Sequence, residues 1–189
     1  TLKMKNTYNV AVIVGSLRKA SLNRQVAHAL AQLAPPQLQL EVVEIGHLPH
    51  YNQDTDESPP AVFTEFRDRI KSADAVLFVT PEYNRSVPGV LKNALDIGSR
   101  PYGQSAWNGK PGAVVSASIG PIGGFGANHH LRQSLVCLNV PTMTQPEAYL
   151  GGVDKFFDPN GKIADERTRS FLAKFIQAFA SWVVANTQS

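Results

Sequence analysis

Disulfides are excluded at the outset, because the chain contains a single cysteine, Cys137. One thiol builds neither a bridge network nor a cysteine-based metal site. Long apolar runs are also lacking; none approaches the roughly 18 residues that a membrane-spanning helix requires. No basic stretch followed by an apolar core and a small-residue cleavage site opens the chain, so a secretory leader is not expected. Charge of one sign is scarce. Lys and Arg exceed Asp and Glu by only three. That thin, scattered surplus argues against nucleic acid as a partner, and it does not repel an anion. These absences predict a cytoplasmic protein with no membrane association. The chain is 189 residues long with 43% apolar content, enough for one domain, 1–189, with a full core.

Continuous apolar runs mark strands buried on both faces. Val10 to Val14, Asp74 to Thr80 and Ala113 to Ile119 read this way. Leu38 to Ile45 alternates, as a second strand would, and Pro141 to Thr144 begins a weak fifth. Between them lie helical periods at Ser21 to Ala34, Ala61 to Ala73, Val90 to Ile97 and Asn128 to Leu138. A long helix from Asp165 to Val184 closes the chain. Strands alternating with helices predict an α/β fold: a doubly wound, five-stranded parallel sheet, order 2-1-3-4-5, with helices on both faces. Gly46 to Pro60 is an irregular excursion within that domain.

Ligands of such sheets bind beyond the carboxyl ends of the strands, where strand order reverses. Strands 1 and 3 flank that point and strand 4 is next. The loops after these three are the unusual ones. "GSLRKASLN", from Gly15, has no acid. It offers Ser16, Ser21 and Asn23 as polar partners, the fork of Arg18, and a helix N-terminus that favours negative charge. It suits a phosphate monoester, although Ser21 alone also reads as a plain helix cap. It lacks the Gly-Lys-Ser/Thr of a nucleotide P-loop and the G-x-G-x-x-G of a dinucleotide site. "PEYNRSVPG", from Pro81, supplies an aromatic face in Tyr83 and polar groups at Asn84 and in the loop amides for a planar ring. "SASIGPIGGFG", from Ser116, gives a nearly bare backbone against which a flat edge can lie, with Ser118 at the strand end. Phosphate at one loop and a planar ring between the other two describe flavin mononucleotide, FMN.

"GSLRKASLN", "TPEYNRSVPGVLKNALD" and "GKPGAVVSASIGPIGG" resemble the signature segments of the NADPH-dependent FMN reductase family, and most of all its bacterial quinone and chromate reductases. The resemblance runs over nearly the whole chain. It implies a flavodoxin-like fold and non-covalent FMN. It also implies hydride transfer from NADPH or NADH to the flavin, and onward to a quinone, free flavin, azo compound or chromate. Ser16, Arg18, Ser21 and Asn23 would grip the phosphate; Glu82, Tyr83, Asn84, Arg85 and Ser118 would line the ring. It implies a homodimer, or a tetramer, with sites near subunit boundaries. Three positions depart from close members: Arg85 stands where Tyr is frequent, and Gly126 and His129 stand near a usual Arg and Tyr. The departures at Gly126 and His129 bear on the tetramer more than on the dimer.

The reaction belongs to the flavin ring, so no side chain is assigned as catalytic acid or base. Cys137, between Val136 and Leu138, reads as buried packing. His129-His130 has no third ligand at helical spacing, and no metal site is expected. "DPNGK", Asp158 to Lys162, reads as a turn. Trp182 is left for a subunit contact. Two rival functions share the flavin: a flavodoxin-type electron carrier and a redox-sensing adaptor. A carrier usually shows a strongly acidic surface, which a +3 chain lacks.

Overall fold

The computed structural model describes residues 5–187. Strands β1 (Tyr8–Val14), β2 (Leu38–Val42), β3 (Ala75–Thr80), β4 (Gly112–Ser118) and β5 (Tyr149–Gly151) form one parallel sheet in the order 2-1-3-4-5. All of β3 is buried, which explains its unbroken "AVLFVT". Helices α1 (Leu22–Leu33) and α5 (Glu166–Asn186) cover one face. There Val26, Leu30, Phe175 and Phe179 meet Val12, Leu77 and Val115. Helices α2 (Ala61–Ser72), α3 (Gly89–Gly98) and α4 (Phe125–Cys137) cover the other face. There Phe63, Ile70, Leu95 and Leu131 meet Ile13, Phe78 and Val114. Burying each such side chain stabilises the fold by about 1.5–3 kcal/mol, an upper estimate because unfolded chains are partly compact.

The helix ends are fixed by specific partners. Ser21 Oγ accepts from the Arg24 amide at 3.2 Å and starts α1, and Pro35-Pro36 follow its end. Lys110 lies before β4, and its Nζ donates to the carbonyls of Lys71, at 3.1 Å, and Ala73. These are the terminal carbonyls of α2, whose partial negative charge attracts a cation. Burial lowers the pKa of this ammonium.

Several expectations are corrected. The fifth strand is Tyr149–Gly151, not Pro141 to Thr144. The earlier segment does touch the sheet: Thr142 bridges Gly112, and the Met143 amide donates to Gly112 O at 2.8 Å. It meets only the start of β4, whereas β5 pairs with its end, Ser116 to Ser118. β2 stops at Val42; the Val43 amide makes one more bond, to Val12 O at 2.9 Å, before the chain leaves the sheet. α4 begins at Phe125, three residues before Asn128, because left-handed Gly124 turns the chain into the helix there. Cys137 is exposed. Leu131 and Leu135 set the inward face of α4, and Cys137, two residues on, lies about 200° around the helix. Trp182, whose expected subunit contact this bond does not test, is half-buried, and its indole donates to Pro141 O at 2.9 Å within the chain.

Candidate functional site

The loops after β1, β3 and β4 gather at the carboxyl edge of the sheet. In the first, the Gly15 amide donates to Val79 O at 2.9 Å. A Cβ on Gly15 would lie 2.6 Å from Thr80 Oγ1, so the loop can turn this close to β3 only with glycine. Among the described residues, no protein acceptor takes the amides of residues 16–20, Leu22 or Asn23. α1 has no acid in its first turn to neutralise them. Ser16, Ser21 and, in the first turn of α1, Asn23 are buried, which is uncommon for such side chains. Asn23 Nδ2 donates to Ala117 O at 3.2 Å, while its Oδ1 is buried without a partner. Such an acceptor costs about 1–3 kcal/mol unless something donates to it.

Arg18 and Lys19 are exposed at the loop's rim, and neither pairs with an acid among the described residues. Arg24 is different: it holds Glu44 through bonds of 2.7 and 2.9 Å. That pairing holds the Glu44 carboxyl below its ordinary range. Arg24 therefore braces α1 against the chain after β2.

The second loop carries a tight hairpin. Tyr83 and Ser86 exchange two backbone bonds of 3.0 Å each. Asn84 and Arg85 between them take φ of 51° and 66°, the pair of left-handed residues that a type I′ turn needs. Tyr83, Asn84 and Arg85 stand exposed at this tip. The Glu82 carboxylate is mostly buried and turns to α4: its Oε2 accepts from the Ala127 amide at 3.1 Å. Arg85 approaches the same carboxylate at 3.6 Å from an otherwise solvated position. His130 Nδ1 and Ser86 Oγ, 2.9 Å apart, make a second tie to α4.

The third loop is bare, as its glycines imply. Gly123 and Gly124 both have positive φ, and a side chain on Gly123 would run into the backbone of Tyr149. Ser118 Oγ accepts from the Gly120 amide at 3.2 Å and shapes the loop's start. Ile119, Ile122 and Phe125 are exposed beside it. Phe125 lies against His129 and Tyr149, whose imidazole Nε2 and phenol oxygen are 2.8 Å apart. Burial, with Glu147 beside it, holds the Tyr149 phenol above its ordinary pKa.

The sequence reading missed the network beneath these loops. Asn128 is fully buried and donates to Ser116 Oγ at 3.2 Å and to Ala148 O at 3.3 Å. Arg132 donates to Asn128 Oδ1 at 2.9 Å and to Met143 O at 3.0 Å. Burial lowers the Arg132 pKa. An Asn at an inward phase of a helix, one turn before an Arg, was the available signal.

The donor set fits FMN. Free amides and cations suit a phosphate, and the unpaired Asn23 oxygen suits a ribityl hydroxyl; the hairpin and the glycine loop stand side by side next to them. Among the described residues, no three His, Cys, Asp or Glu side chains come together as a metal site. No helix there is long and apolar enough to cross a membrane.

Comparison with known proteins agrees with this geometry. The family model for NADPH-dependent FMN reductase matches residues 8–154. A quinone reductase of Pseudomonas putida is 64% identical over 184 residues, spanning 97% of this chain and 98% of the relative. A 2-hydroxy-1,4-benzoquinone reductase of Burkholderia sp. is 51% identical over 174 residues, 92% of this chain and 95% of that one. Among solved structures, FerB of Paracoccus denitrificans, a flavoenzyme NAD(P)H:(acceptor) oxidoreductase, superposes with a TM-score of 0.91. It is 43% identical, over 96% of this chain and 100% of that one.

Proposed function

The chain belongs to the NADPH-dependent FMN reductase family and is an FMN-dependent NAD(P)H oxidoreductase acting on quinones; from that premise we propose how its own residues hold the flavin. The phosphate lies on the amides of residues 16–20 and α1's N-terminus, with Ser16 and Ser21 at its oxygens and Arg18 closing over it. Asn23 Oδ1 takes a ribityl hydroxyl. The ring lies between the Tyr83–Ser86 hairpin and the loop from Ser118 to Gly124. The unpaired, buried Asn23 oxygen carries this reading, since it faces an energetic cost that a bound hydroxyl removes.

FMN, when bound, would supply the redox chemistry that links NAD(P)H to the acceptor. The protein's tasks are to bind, orient and leave access. Glu82 and His130 hold the hairpin on α4 while its tip stays open. The loop amides and the Asn84 amide would be donors for the carbonyl edge of a bound ring. No side chain is needed to move a proton to a quinone product, because the exposed tip gives water access.

Chromate and azo compounds remain alternative acceptors, since an open ring face is permissive. A homodimer covering Ile119, Ile122 and Phe125, in the cytoplasm where NADPH and NADH are supplied, completes the reading. The test is a steady-state comparison of benzoquinone, chromate, an azo dye and free FMN as acceptors. Benzoquinone is expected to give the highest kcat/KM; a carrier or adaptor would show negligible NADPH oxidation with all four.

A further inference from the structure

A cavity of about 560 Å³ lies against β5, whose Gly151 also packs on the glycine-rich loop. Its walls include Phe156 from the loop after β5 and Phe171 from α5, with the backbone of Gly151 and Gly152 between them. Two cations, Lys155 and Arg167, border it, and neither pairs with an acid among the described residues. The one carboxylate in the lining, Asp165, is engaged by the first turn of α5. Its Oδ1 accepts from the Thr168 amide at 2.9 Å and its Oδ2 from the Thr168 hydroxyl at 2.7 Å. These bonds hold the Asp165 carboxyl below its ordinary range. The loop that carries Lys155 and Phe156 is braced. The Ala164 amide donates to Phe156 O at 2.9 Å, and Phe157 bridges Ile163.

The cavity adjoins the third loop through the backbone of β5. A Cβ on Gly151 would lie 2.5 Å from Pro121 O, so β5 rests directly against the third loop. Adjacent strands are about 4.8 Å apart, so the cavity begins one strand beyond the end of β4. The ribose and two phosphates between a nicotinamide seated on the flavin and its adenosine half span more than one such spacing, enough to carry the nucleotide past β5. Aromatic walls suit an adenine face, and paired Lys and Arg suit a phosphate monoester. NADH lacks such a monoester, whereas NADPH carries one on the adenosine ribose.

We infer that this cavity receives the 2′-phosphoadenosine end of NADPH, with Lys155 and Arg167 on the 2′-phosphate, and so sets the preference for NADPH over NADH. The inference rests on the flavin lying between the hairpin and the third loop. Both cations are exposed, so replacing them leaves the core intact.

The test uses the FMN-loaded enzyme, its flavin content measured first by absorbance. Calorimetric titration compares 2′,5′-ADP with 5′-AMP. The wild type binds 2′,5′-ADP about tenfold more tightly or better, the scale of a charged hydrogen bond to phosphate. Lys155→Ala and Arg167→Ala each erase most of that difference. In parallel, each lowers the ratio of kcat/KM for NADPH to that for NADH about tenfold. Equal binding of the two nucleotides by the wild type, or an unchanged ratio in both variants, overturns the inference. Failure of the flavin reading is distinguishable, because it appears as missing flavin before any nucleotide is added.

Discussion

The Glu82 carboxylate accepts the Ala127 amide at 3.1 Å, so the loop after β3 caps a helix whose own N-cap, Gly124, has no side chain to do so. A helix start without a cap costs about 1 kcal/mol. Here the cap also fixes the hairpin that borders the proposed ring site. Glu82→Ala is expected to lower stability by about 1 kcal/mol in denaturant unfolding and to weaken FMN binding as well. Glu82→Gln, which keeps an acceptor oxygen, restores most of both. Equal loss in the two variants would show that charge, rather than the cap, is what matters.

Arg18→Ala tests the phosphate end. The side chain is exposed, so the expected loss of FMN affinity is about 1.5 kcal/mol, the low end for a charged hydrogen bond. Riboflavin, which has no phosphate, is expected to bind the variant and the wild type alike. Fluorescence titration of both flavins checks this; parallel losses would place Arg18 away from the phosphate.

Arg85 occupies a left-handed position, φ 66°, that glycine adopts without cost to its Cβ. Its side chain is 78% exposed and its approach to Glu82 is 3.6 Å, too long and too solvated to repay the strain. Arg85→Gly is therefore expected to raise Tm, by about 2–4 °C for 1 kcal/mol in a chain of this size. Calorimetry that finds a clear drop in Tm would mean that the arginine makes a stabilising contact in solution.

The Arg24–Glu44 pair gives a pH signature. Glu44's folded pKa is depressed, chiefly by the hydrogen bond from Arg24. Its stabilisation is therefore present above the unfolded pKa and lost as pH falls through the folded one. Glu44→Gln is expected to be less stable than the wild type at pH 7 by under about 1 kcal/mol, since the pair is partly exposed and screened. The gap should close in acid below the ordinary glutamate range of about 4.3. A gap that persists at pH 2.5 would assign the effect to packing.

Sheet order and the three loops were legible because β1, β3 and β4 are buried on both faces, which writes continuous apolar runs into the chain. β5 was misplaced for the opposite reason. "YLG" is three residues long, ends in glycine and owes its pairing to β4, so nothing local announces it. Cys137 was judged from its apolar neighbours, when helical phase from Leu131 and Leu135 decides its exposure. The partners of Glu82 and Asn128 lie 45 residues away and 12 and 20 residues away. Such contacts depend on the tertiary fold and leave no periodic trace.

The most direct measurement is the flavin itself. The purified protein, supplied with FMN and then desalted, is expected to be yellow and to hold close to one FMN per chain. Heat should release that FMN unmodified into the supernatant. Anaerobic NADPH should bleach the bound flavin, and benzoquinone should restore its colour. A protein that stays colourless after exposure to FMN, or whose bound flavin NADPH does not bleach, would contradict the account.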